Sequence, residues 1–322
     1  MILKGCAYMW LLNQLEEIRN PVCDAIFSFI TMFGEETVFI LLGLLFYWCI
    51  SKKQGYYLLS IGLIGTVLNQ FLKLIFRIPR PWVQDENFKI VESAREQATG
   101  YSFPSGHTQT SVGIFGGIAL WNKNKIIKIL CVVLCVLVPF SRLYLGVHTP
   151  LDVGASMVLA LVLVFGLFPL LRKTANQTKT MRIMFVVMTV FAISFLMFVL
   201  IYNFPADVDA DNLAHGTETA YKMLGVILGL WLSFEIDNKY INFKTESVWW
   251  IQVLKLVMGL LPVLAIKSLL KTPLYVLLGN ELLADGIRYF LIAIFAGIVW
   301  PITFKYWNKL PKKELGEENG TK

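Results

Sequence analysis

Charged residues are scarce in this chain of 322 residues: they make up 16% of it, against 56% hydrophobic residues and a mean hydropathy of +0.62. A soluble domain of that length cannot hide so much apolar surface, which leaves a polytopic membrane protein. Histidine is scarcer still, with only His107, His148 and His215 in the whole sequence. The five cysteines, Cys6, Cys23, Cys49, Cys131 and Cys135, match no zinc-module spacing and lie in or near apolar runs. They read as packing residues, not as disulfides or metal ligands. No basic run is dense enough for a nucleic-acid surface, so the net charge of +7 reads as loop bias set by membrane topology. The N-terminus lacks the pattern of a removable signal peptide, and no internal repeat stands out.

What is present is a series of long apolar runs. A membrane-crossing helix needs about 20 mostly apolar residues. Runs at roughly 35–51, 55–76, 105–122, 125–140, 150–171, 182–203, 217–235, 249–270 and 286–307 predict an all-α polytopic membrane helical bundle of about nine spans. Lys255 and Pro262 interrupt the eighth; a lysine near a helix end is expected to snorkel, and membrane helices tolerate proline. Residues 8–33 hold two shorter pieces split by Asn20-Pro21 and read as helices lying at the interface. Four regions follow: interfacial N-terminal helices at 1–34, a core at 35–171, additional transmembrane helices at 172–307 and a polar cytoplasmic tail at 308–322. Lys173–Thr180 reads as a flexible linker.

Basic residues set the orientation. Lys52 and Lys53; Lys123, Lys125 and Lys128; Arg172, Lys173, Lys179 and Arg182; Lys239 and Lys244; and Lys305, Lys309, Lys312 and Lys313 all fall on one side of the nine-span arrangement. The positive-inside rule makes that side cytoplasmic. Loops 77–104 and 141–149 then share the outer face, together with the acidic loop of Asp207, Asp209 and Asp211.

Three blocks in those outer loops carry chemistry. The first is Lys73 with Arg80-Pro81, and proline keeps Arg80 out of a helix. With Arg142, these cations come from three places on one membrane face and suit a phosphoryl group: arginine offers a planar fork, lysine a compact charge. The second is Pro104-Ser105-Gly106-His107, which reads as a helix start whose free N–H groups face an anion. Gly106 leaves room for close approach there, and the Ser105 hydroxyl can donate. The third runs from Ser141-Arg142 to His148 and Asp152, four residues apart, with Pro150 favouring a helix start between them. A carboxylate on one ring nitrogen fixes the tautomer and leaves the other nitrogen free to attack.

These blocks resemble the three signature motifs of the type 2 phosphatidic acid phosphatase superfamily, the lipid phosphate phosphatases. Their pattern is Lys, six residues, Arg-Pro; Pro-Ser-Gly-His; and Ser-Arg, five residues, His, three residues, Asp; every fixed position is met. The resemblance covers about residues 20–171, and the C-terminal spans lie outside it. The long many-span build is similar to that of sphingosine-1-phosphate phosphatases and glucose-6-phosphatases. Soluble vanadium haloperoxidases share the motifs, and the apolar runs argue against that branch. The resemblance implies a six-helix-type phosphatase core and a metal-free, cofactor-free hydrolysis. In it His148 attacks phosphorus to form a phosphohistidine, Asp152 orients His148, and His107 protonates the leaving oxygen and then activates water. Lys73, Arg80, Ser105, Gly106 and Arg142 would hold the phosphoryl oxygens, while Ser141 has no clear contact role. The expected substrate is a lipid mono- or diphosphate in the bilayer: a polyprenyl diphosphate, phosphatidate or a sphingoid-base phosphate. Phosphotransfer to an alcohol, and a non-enzymatic lipid transporter, are the alternatives.

Weaker signals remain. Trp82, Tyr101 and Phe103 in loop 82–103 read either as substrate-access residues or as an interfacial aromatic belt. Asp207, Asp209, Asp211 and Glu218 follow calcium-loop positions, but Asn212 stands where glycine is usual and His215 takes position nine. Gly225 and Gly229 have small-residue packing spacing, so the last spans are expected either to pack on the core or to form a homodimer contact.

Overall fold

A computed structural model describes residues 6–172 and 176–307. The expected tail at 308–322, with Lys309, Lys312 and Lys313, and Lys173 of the expected linker lie outside the described residues. Among the described residues every regular element is helical. The principal helices are α1 (Cys6–Glu17), α2 (Pro21–Thr31), α3 (Glu36–Leu45), α4 (Lys52–Phe76), the one-turn α5 (Pro81–Gln84), α6 (Gly106–Trp121), α7 (Lys125–Tyr144), α8 (Pro150–Arg172), α9 (Gln177–Ile201), α10 (Ala210–Ile236), α11 (Trp249–Leu269), α12 (Lys271–Leu278) and α13 (Glu281–Ile294).

Local chemistry starts many of them. Asn20 accepts from the Cys23 N–H at 3.0 Å with Pro21 in the first turn of α2, and Asn124 accepts from Ile126 at 2.8 Å to open α7. Asn280 caps α13 through Leu283 N–H at 3.0 Å. Pro139, Pro169 and Pro262 sit inside α7, α8 and α11, a tolerance expected of membrane helices.

Among the described residues, seven helical stretches are long and apolar enough to cross a membrane, and a pair, Pro21–Gly34 with Glu36–Ile50, passes together with a 50° bend between its arms. The shortfall from nine is α6, which has 16 residues. At that length it is short for a span, but it starts beside the α7–α8 turn, where Ser105 N–H donates to the Asp152 carbonyl, and ends four residues before α7, so it runs back alongside a helix long enough to cross. Residues 21–33, expected at the interface, form one arm of the bent pair.

The chain divides into two compact units, one of Met1–Ile40, Tyr57–Leu170 and Met197–Thr219, the other of Leu41–Tyr56, Leu171–Leu196 and Ala220–Lys322. In the first, α6 packs closely on α4: side chains at Gly113 or Gly117 would come within 2.8 Å of Ile61 and Leu58 respectively. The N-terminal helices join the same core. Leu12 is fully buried with Phe88, Ile90, Ala94, Tyr144, Leu145 and Val147. Arg19 donates to the Tyr144 carbonyl at 2.8 Å, and the Tyr144 hydroxyl donates to Asp24 at 2.8 Å.

In the second unit the glycine stripe of α10 is occupied from within the chain. Gly225 meets the Gly286 backbone and Gly229 meets Phe290 and Ala293, both on α13. Lys52 pairs with Asp237 at 2.6 Å, and Asp285 pairs with Arg288 inside α13. Lys255 does not snorkel; it is fully buried, with its ammonium 4.7 Å from the centre of the Phe304 ring. Cys23, Cys49, Cys131 and Cys135 are free thiols.

Candidate active site

The third block closes α7 and opens α8. Gly146, at φ +79°, makes the reversal, and a side chain there would strike Phe88 at 2.9 Å. Thr149 and Asp152 then form a reciprocal cap: Thr149 N–H donates to Asp152 Oδ2 at 2.7 Å, and Asp152 N–H donates to Thr149 Oγ1 at 3.3 Å. Ser102 Oγ–H donates to the same Oδ2 at 2.6 Å. So held, Oδ2 lies 3.5 Å from His148 Nδ1. The other ring nitrogen, Nε2, lies 2.9 Å from Arg80 Nη1. Because the guanidinium is only a donor, Nε2 carries the lone pair and Nδ1 the proton facing Asp152. Burial first, then the charges of Arg80, Arg142 and Lys73, hold the His148 ring well below the ordinary histidine value, so it is neutral at pH 7.

The three cations are buried and held by oxygens that carry no formal charge. Arg80 Nε donates to the Gly100 carbonyl at 3.0 Å, Nη1 to Val147 at 2.9 Å and Nη2 to Thr99 at 2.7 Å. Lys73 Nζ donates to the Tyr101 carbonyl. Arg142, fully buried, donates from Nη1 to Thr31 Oγ1 at 2.7 Å, while its Nε and Nη2 have no hydrogen-bond partner among the described residues. None of the three forms an ion pair with a carboxylate among the described residues. Two buried guanidinium N–H groups without acceptors are costly unless an anion meets them.

The second block is the N-terminus of α6. Ser105 caps it by accepting from Thr108 N–H at 3.4 Å, and Ser105 N–H reaches the Asp152 carbonyl at 3.2 Å, which ties this block to the third. The first N–H groups of the helix, at Gly106 and His107, have no acceptor within the helix. A side chain built on Gly106 would meet nothing within 4 Å, so the space beside it is open. Burial first, then the charges of Arg142, His148, Arg80 and Lys73, hold the His107 ring well below the ordinary histidine value, and its Nε2 has no hydrogen-bond partner among the described residues.

Lys73, Arg80, Ser105, Gly106, His107, Arg142, His148 and Asp152 therefore gather in one unit. Ser141 points elsewhere: its hydroxyl donates back to the Val138 carbonyl at 2.7 Å. Trp82 and Tyr101 line a cavity of about 630 Å³ with Arg80, Asp207, Asp209 and Asp211. Phe103 is not among the lining residues and packs edge-on against Phe76, with ring centres 5.1 Å apart. The calcium-loop reading finds no support: no group of three or more His, Cys, Asp or Glu side chains among the described residues could hold a metal ion. Asp209 instead caps α10 through Asn212 N–H at 2.8 Å. Residues that motif reading passed over are Ser102, Thr149 and Thr31, together with the carbonyls of residues 99–101. The Thr-Pro-Leu-Asp string at 149–152 is a capping-box signal that would have found Thr149.

Residues 53–176 match the PAP2 superfamily, and residues 221–311 match the PAP2 superfamily phosphatase, transmembrane extension. Undecaprenyl-diphosphatase BcrC of Bacillus subtilis is 33% identical over 154 residues, which cover 47% of this chain and 76% of that protein. A probable sphingosine-1-phosphate phosphatase of Dictyostelium discoideum is 28% identical over 164 residues, covering 47% of this chain and 39% of that protein. Sphingosine-1-phosphate phosphatase 2 of Mus musculus is 24% identical over 234 residues, covering 69% of this chain and 63% of that protein. No solved structure matches the chain. With its three motifs gathered in one unit and both matches in chain order, the protein belongs to the PAP2 superfamily and carries that superfamily's phosphatase transmembrane extension.

Proposed function

We propose that this protein is an integral membrane phosphatase that removes the terminal phosphate of a lipid mono- or diphosphate through a phosphohistidine. One observation carries the reading: Lys73, Arg80 and Arg142, buried and unpaired with carboxylates, surround a neutral, buried His148 whose Nδ1 faces Asp152. Relatives named as undecaprenyl-diphosphatase, sphingosine-1-phosphate phosphatase and phosphatidylglycerophosphatase support the substrate class.

His148 Nε2 attacks phosphorus as the bond to the leaving oxygen breaks; His107, which takes up a proton once the bound phosphoryl anion offsets the surrounding cations, gives that oxygen its proton. Asp152 accepts from Nδ1–H and stabilises the positive ring that forms. In the second half His107 takes a proton from water, the hydroxide attacks phosphorus, and the P–N bond breaks to free phosphate and His148. Lys73, Arg80, Arg142, the Ser105 hydroxyl and the N–H groups at the start of α6 meet the charge on the equatorial oxygens. Three fixed cations supply the neutralisation that a metal provides elsewhere, so the reaction proceeds without one. The basic residues of alternate loops support an orientation with this site on the non-cytoplasmic face.

The test is phosphate release by purified protein from a panel of polyprenyl diphosphate, phosphatidate and sphingoid-base phosphate, with His148→Ala as control. The expected result is turnover of at least one lipid by the wild type and none by the variant. Equal turnover by both proteins would overturn the reading.

A further inference from the structure

Three consecutive carbonyls, those of Thr99, Gly100 and Tyr101, hold both Arg80 and Lys73. Gly100 lies at φ +70°, which favours glycine and lets this short stretch turn its carbonyls inward to the two cations. The aim of the Arg80 fork therefore depends on how firmly the turn is held. Its outer side is held by the start of α10. Asp209 N–H donates to the Tyr101 hydroxyl at 3.2 Å, and His215 Nε2 lies 3.4 Å from Thr99 Oγ1. A side chain on Gly100 would lie 3.6 Å from His215 Cδ2 and 3.7 Å from Lys73 Nζ, so the imidazole and the ammonium flank the same glycine. Residues 207–215 lie outside the stretch matched to the PAP2 superfamily, 53–176, and outside the extension, 221–311. They nonetheless fold into the same unit as the motifs.

We infer that His215 is a positioning residue for the phosphoryl site: through Thr99 it fixes the turn that aims Arg80 and Lys73. This rests on the phosphatase reading above and extends it to a histidine that the three motifs do not include.

Vanadate, an oxyanion of phosphoryl shape, reports on the turn without needing turnover. Vanadate affinity, read from the thermal shift of the full-length protein in detergent, is compared with steady-state phosphate release for wild type, His215→Ala, His215→Gln, Thr99→Val and the double variant. Losing the hydrogen bond to Thr99 implies weakening of about five- to tenfold in vanadate affinity and in kcat for His215→Ala, with the KM for the lipid little changed. His215→Gln, which keeps a polar nitrogen at similar reach, restores most of the loss. His215→Ala and Thr99→Val together cost less than the sum of the two single losses, because both remove the contact between these residues. Vanadate affinity equal to wild type in His215→Ala overturns the inference. Additive losses, or a loss that glutamine does not restore, also overturn it, since a merely loosened helix gives that result. Intact vanadate binding with no lipid turnover by the wild type would instead count against the phosphatase reading alone.

Discussion

Buried positive charge is treated in two opposite ways in this molecule. In the unit that ends in Ala220–Lys322, buried Arg288 pairs with Asp285 and half-buried Lys52 with Asp237; Lys255 is the exception, its buried ammonium facing the Phe304 ring with no carboxylate partner among the described residues. In the unit that holds the motifs, Lys73, Arg80 and Arg142 rest on carbonyls and a hydroxyl, and the one buried carboxylate among them, Asp152, is committed to His148, Ser102 and Thr149. Neutral oxygens orient a cation without cancelling it. The first arrangement is a structural solution to a charge in an apolar interior. The second gathers three cations into one uncompensated positive potential, which a bound anion would offset.

The largest effect expected from breaking this contrast is on the carboxylate. Asp152→Asn keeps the cap but lowers single-turnover phosphate release by on the order of 10³–10⁴-fold, the scale seen when a histidine loses its orienting carboxylate. A change under tenfold would show that Asp152 is a cap and nothing more. Next comes a paired test of the two kinds of cation. Arg142→Met lowers kcat/KM by about 10²-fold or more yet leaves the thermal midpoint unchanged or raised, because it removes an unpaired buried charge. Arg288→Met does the reverse: it removes the cation that pairs with buried Asp285 and costs about 3–5 kcal/mol of stability, while the active protein that remains keeps its rate. Parallel loss of stability in both variants would erase the contrast.

Charge also sets the behaviour of His148 with pH. Its folded value lies below the ordinary 6.5, so the ring stays neutral through pH 6.5 and takes a proton only in more acidic solution. Attack by Nε2 is therefore available across neutral pH and is lost as pH falls through the lowered value. With only three histidines, ¹⁵N-labelled protein gives a ring spectrum that His148→Ala assigns directly. A His148 ring already protonated at pH 7 would contradict the account. The smallest expected effect is that of a chelator: phosphate release proceeds unchanged in EDTA, and complete loss restored by a divalent ion would sink the metal-free route.

Much of this was legible in the sequence because reactive side chains are letters. Lys73, Arg80, His107, Arg142, His148 and Asp152 follow a spacing that helix ends convert into proximity. Backbone groups are not letters, so nothing in Thr99-Gly100-Tyr101 announces that its carbonyls carry two cations. Long separations hide other partners: Thr31 meets Arg142 across 111 residues, and His215 meets Thr99 across 116. The span count differed at α6: the apolar run at 105–122 reads as a crossing, but the helix it forms has only sixteen residues. Lys255 resisted the snorkelling expectation because its surroundings offer an aromatic ring at 4.7 Å that sequence spacing does not reveal.

The central claim is that His148 becomes covalently phosphorylated. Rapid quenching of the enzyme with a terminally ³²P-labelled lipid diphosphate, followed by denaturing gel analysis, tests it directly. The expected result is protein-bound label that survives base, is released by mild acid and is absent in His148→Ala. Phosphate release at full rate with no such label in the wild type, or label that persists in His148→Ala, would contradict it.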